Sequence, residues 1–111
     1  MKFTDYDPTW LVKLAEEQYL AEKWLAESLK ECTRYCRQSD AYYYFMDPKN
    51  ANKPGAEWQI SENIILKHDT LGEIVLDVLK NKKIGGIEFI MELTGDAYFL
   101  EKCEKNKIFV D

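Results

Sequence analysis

Residues 9–38, "TWLVKLAEEQYLAEKWLAESLKECTRYCRQ", contain neither glycine nor proline, and their apolar positions recur at intervals of three and four. At about 100° per residue, Leu11, Leu14, Ala21, Leu25, Leu29, Cys32 and Cys36 fall on one side, with Glu16, Lys23, Glu27 and Arg34 opposite. Asp7-Pro8 offers a helix start, because an aspartate accepts from the unpaired N–H groups of a first turn and a proline there has no donor to lose. Lys13 with Glu17 and Lys23 with Glu27 are four apart, and Arg34 and Arg37 fall near the negative end of the helix dipole. The pattern predicts one long amphipathic helix over residues 8–38.

After that segment the pattern shortens to alternation among β-branched and aromatic residues. Candidate strands are Ala41–Met46, Asn63–Lys67, Glu73–Leu79 and Ile84–Glu92, with "DPKNANKPG" as a polar loop between the first two. Ile74, Leu76 and Val78 share one face, as do Ile87, Phe89 and Met91; "LKNKK" reads as the hairpin turn between them and Gly85-Gly86 as a bulge or bend. A short helix near 95–104 and a last strand "KIFV" follow. With no repeat, low-complexity tract or linker, residues 1–111 read as one domain. The expected fold is α+β: one long N-terminal helix packed on a small, mainly antiparallel sheet, with a short C-terminal helix.

The segments "SDAYYYF" and "GEIVLDVLKNKKIGGIEFIMEL" resemble a small bacterial family, the domain of unknown function 2283, whose pattern runs D-A-x-Y, an acidic stretch, "LD", a turn and I-x-G-I-E-I/F. The matching residues are Asp40, Ala41, Tyr43, Leu76, Asp77, Ile84, Gly86, Ile87, Glu88 and Phe89. The opening "MKFTDYDP" is similar to that family's first strand, so the resemblance implies that the helical segment is an insertion between this strand and its partner. It implies a sheet and carries no activity.

Composition narrows the chemistry. The chain has 111 residues, 46% of them hydrophobic, which is long enough to bury a core without staples. A net charge of −5 argues against a phosphate-binding basic face and favours a basic protein partner. No apolar run nears the roughly 20 residues of a membrane helix, and the N-terminus lacks a signal-peptide stretch, so a cytoplasmic protein is expected. Three cysteines, an odd number without framework spacing, suit free thiols in a reducing compartment.

Cys32 and Cys36, one helical turn apart, could hold zinc with Cys103 and His68, but both thiols lie on the apolar face and are expected to pack there, leaving no metal and no cofactor. His68 is the only histidine and stands in no catalytic motif, so a loop or strand-end role is expected. Asp77 and Glu88 could oppose each other across the hairpin as an acid/base pair, although outward, solvated carboxylates are the usual outcome. No phosphate-binding loop or metalloprotease, kinase or dinucleotide signature is present.

The run Tyr42-Tyr43-Tyr44 puts Tyr42 and Tyr44 on one face of a strand and Tyr43 with Phe45 on the other, so one set can enter the core under the helix. Leu20 and Trp24, four apart, border the apolar stripe of the helix. An exposed aromatic edge with carboxylates beside it suits a protein contact. The expected function is therefore a non-enzymatic, acidic protein-binding module of the inhibitor type, as antitoxins, immunity proteins and phage anti-defence proteins such as anti-CRISPRs are. Its contact residues would be Glu17, Leu20, Trp24, Glu31, Tyr42, Tyr43 and Tyr44. The alternatives are a structural homo-oligomer, a homodimer through the helix edge or an exposed strand, and a metal- or hydrolysis-dependent enzyme using the cysteines and His68.

Overall fold

The computed structural model describes residues 2–90 and Cys103. The chain forms β1 (Thr4–Asp5), α1 (Thr9–Gln18), α2 (Lys23–Lys30), β2 (Arg34–Arg37), β3 (Tyr42–Tyr44), β4 (Ile60–His68), β5 (Gly72–Leu79) and β6 (Ile84–Phe89). The six strands make one sheet in the order β1-β2-β3-β6-β5-β4, with every neighbouring pair antiparallel.

The single long helix expected over 8–38 is not formed. The chain leaves helical geometry at Tyr19 (φ −131°, ψ 56°) and re-enters after Glu22 (φ −113°, ψ 70°). Length supplies the reason: a straight helix over that segment would run about 45 Å, beyond the molecule's longest extent of 39 Å. Its far turns would hold their apolar stripe over water. Broken in two, the segment packs α1 on α2 and buries Leu11, Val12 and Ala15 together with Leu25, Ala26 and Leu29. The buried positions stay in helical phase across the break, so periodicity could not reveal it. Arg34–Arg37 becomes a strand because it can pair on both sides, Tyr35 with Thr4 and Cys36 with Tyr44.

Local signals otherwise operate as their chemistry dictates. Asp7 accepts from the Thr9 amide at 3.0 Å and from its hydroxyl at 2.5 Å, while Pro8 O takes the first amides of α1. Those two bonds from Thr9, the hydroxyl's first, hold the Asp7 carboxyl below its ordinary range. The β5–β6 turn is made over Lys80–Lys83, with Lys82 at φ 64°. Gly72, at φ 73°, pairs with His68 to close the β4–β5 hairpin.

One sheet face carries Tyr35, Tyr43, Ile64, Leu66, Ile74, Leu76, Val78, Ile87 and Phe89, all buried in a single cluster with the helices. Cys103 is buried in the same cluster; the rest of the helix expected near 95–104, the strand "KIFV", and Met91 and Glu92 lie outside the described residues. The helices are tied down by side chains. Gln18 donates to Lys67 O at 2.8 Å and accepts from its amide at 2.9 Å, Tyr19 Oη donates to Ile65 O, and Ser28 Oγ donates to Lys82 O. No helix among the described residues is long and apolar enough to cross a membrane.

Candidate protein-binding surfaces

The break between α1 and α2 creates the first surface. Leu20 sits in it, 76% exposed, because neither helix continues to carry it onto the sheet. Around it Glu16, Tyr19, Glu22, Lys23, Ala26 and Glu27 line a groove of about 240 Å³. Glu17 is exposed on the same helix end, whereas Glu31 lies at the far end of α2. Trp24 is half-buried against the core, and the Lys82 ammonium covers its ring at 5.1 Å from the centroid. The expected aromatic anchor is thus already occupied by the fold, and Leu20 carries the exposed apolar surface.

The second surface is the sheet face opposite the helices. The tyrosine run divides by strand alternation as expected. Tyr43 (1% exposed) and Phe45 enter the core, so Tyr43 is not a contact residue. Tyr42 and Tyr44 stay half-buried on the open face, their rings edge to face at 5.0 Å, with Trp58 edge-on to Tyr44 at 6.1 Å. Cross-strand pairing sets Tyr42 beside Glu88 and Val75, and Tyr44 beside Gly86 and Asp77.

Asp77 departs from expectation. It faces Gly86 rather than Glu88, is only 8% exposed, and its Oδ2 accepts a hydrogen bond from Tyr42 Oη. The phenol spans the β6 strand to reach it, and Gly86 makes the crossing: a Cβ there would lie 3.0 Å from Tyr42 Oη and 3.2 Å from its ring. Gly85 performs the same service for Trp58, whose ring nitrogen would be 2.5 Å from a Cβ. Burial raises the Asp77 carboxyl above its ordinary range, more than the Tyr42 hydrogen bond lowers it. Burial, followed by the Asp77 carboxylate, pushes the Tyr42 phenol far upward. Both shifts favour a neutral phenol donating to the carboxyl. The sequence signal, a lone aspartate inside the apolar run "EIVLDVL" facing a glycine pair, had no partner that spacing could name.

The thiols are separated. Cys32 follows α2 in the core, where burial and then Glu31 push it up to about 12, while Cys36 lies on β2 with its partner Tyr44. They are therefore not one helical turn apart. Among the described residues no group of three histidine, cysteine or carboxylate side chains could hold a metal ion. His68 ends β4, and its Nδ1 accepts from the amides of Thr70 and Leu71 at 3.0 and 3.1 Å. Burial lowers its pKa, with Asp69 opposing. An Nδ1 already accepting two amides is a turn-forming atom.

No family model matches this chain, and neither a curated protein nor a solved structure does.

Proposed function

We propose that this chain is a non-enzymatic protein-binding module of the inhibitor type, acting in the cytoplasm on a basic protein. The observation that carries the reading is Leu20: a leucine 76% exposed at a corner where Glu16, Glu22 and Glu27 outnumber the one lysine, Lys23. A solvated leucine contributes nothing to folding, and a partner that covers it gains the full burial. The surrounding carboxylates select for positive charge and accelerate encounter. A chain net charge of −5 extends that selection beyond the corner.

The test compares Leu20→Ser with the unmodified chain. Leu20 is exposed and is not part of the core cluster, so the variant should unfold within about 0.5 kcal/mol of the parent. Immobilised parent should retain a basic protein from the host lysate, and Leu20→Ser should bind it about thirtyfold more weakly. Equal affinity of the two for that protein would refute the reading. Sedimentation provides the other decisive outcome: a parent dimer that Leu20→Ser dissociates would make a second copy the occupant.

A further inference from the structure

Asp77 is the one charged side chain buried among the described residues, and none of those residues pairs a cation with it. The ion pairs of the described residues join Lys30 to Glu27, Arg34 to Asp5 and Arg37 to Asp40, leaving both Asp77 and Glu88 out. Tyr42 gives Asp77 a single neutral hydrogen bond at Oδ2, and no other described residue donates to the carboxylate. Glu88 stands on the same face as the direct cross-strand neighbour of Tyr42. A carboxylate withdrawn from water is costly until a positive charge pairs with it. Here the negative charge, without a cation among the described residues, lies on the sheet face opposite the helices, beside a tyrosine ring that crosses Gly86.

A guanidinium matches that arrangement better than an ammonium does. Its planar fork offers several donors in fixed directions, and its face stacks on an aromatic ring while its edge donates to carboxylates. We propose that the open sheet face between Tyr42, Asp77 and Glu88 receives an arginine side chain of a partner protein. The guanidinium donates to Asp77 Oδ1 and to the Glu88 carboxylate and lies against the Tyr42 ring. The negative balance of the chain favours a basic polypeptide as the donor of such a group. The inference rests on the protein-binding reading only for the source of the arginine; the site itself is separate from the Leu20 corner.

The peptide acetyl-Gly-Arg-Gly-amide tests it, with its lysine and citrulline counterparts, in a titration followed by the carboxyl carbon signals of Asp77 and Glu88 and the ring signals of Tyr42. The arginine peptide should shift these signals saturably below about 10 mM, the lysine peptide more weakly and the neutral citrulline peptide not at all. Glu88→Gln should weaken the arginine response by about fivefold, and Leu20→Ser should leave it unchanged. An equal citrulline response, an unchanged response in Glu88→Gln, no saturation, or shifts confined to the α1–α2 corner would each overturn the proposal. Loss of arginine binding beside intact Leu20-dependent partner binding removes this inference alone. The reverse result removes the corner.

Discussion

Two residues on the open sheet face govern each other through a third. Tyr42 reaches Asp77 only because Gly86 has no side chain, so Gly86→Ala should force the ring from its place. The added methyl also meets Tyr43 O at 2.9 Å, a backbone atom that cannot yield. A loss of about 1–3 kcal/mol is expected from such overpacking. Because ring and methyl compete for one space, the cost should be clearly smaller in a Tyr42→Ala background, which chemical denaturation of the four variants would show. Additive effects would mean that the crossing is not what Gly86 serves. Asp77 makes a prediction in pH. Its folded-state pKa is raised from the model-compound value of 3.8, so between the two values the native chain holds more protons than the unfolded one. Stability therefore falls as pH rises through that window, and the cost is fully present above the folded-state value. Asp77→Asn keeps an acceptor for Tyr42 and removes the charge. It should melt higher than the parent at pH 7, with the gap closing as pH falls below 3.8.

At the scale of elements, the helices owe their place to one apolar stripe each. Leu25 is fully buried in the middle of α2, while Glu27, on the opposite side, is exposed and pairs with Lys30 at 2.9 Å. Leu25→Asp would bury an unpaired charge and should cost about 3 kcal/mol or more. Glu27→Ala removes only an exposed ion pair and should be nearly neutral. Thermal melts of the two variants check the assignment, and equal midpoints would refute it. Helical periodicity correctly marked Leu11, Leu25, Leu29 and Cys32 as buried, although the helix that it implied is two helices and a strand. The strands were legible where alternation was strict, in β5 and β6, and their turn was legible from "LKNKK". β1 and β2 are too short to show a period.

For the whole molecule, the edge strand β4 is the feature that a second chain would meet. β4 is an edge strand of nine residues with Ile60 and Ile65 exposed, which is a template for pairing with another chain. Gln18 occupies both backbone groups of Lys67 and Tyr19 takes Ile65 O, so the end of α1 covers the outward half of that edge. Gln18→Ala should uncover it and raise the sedimentation mass at high protein concentration while leaving the far-ultraviolet circular dichroism unchanged. A monomer indistinguishable from the parent at every concentration would show that the edge needs no such cover.

The sequence alone determined which residues are apolar, which of them share a face, where the β5–β6 turn falls, and the acidic charge balance. These are local or summed properties, set by covalent geometry and composition. The tertiary structure decided the rest. It broke the helix because two shorter helices can each lay an apolar stripe on the core, made Arg34–Arg37 a strand because two strands flank it, and turned Tyr43 inward while leaving Tyr42 outside. It exposed Leu20 by ending one helix before it and starting another after it. It also brought Asp77 to Tyr42 across Gly86, a contact between residues 35 positions apart that no spacing encodes, since it depends on the order in which β3, β6 and β5 lie side by side.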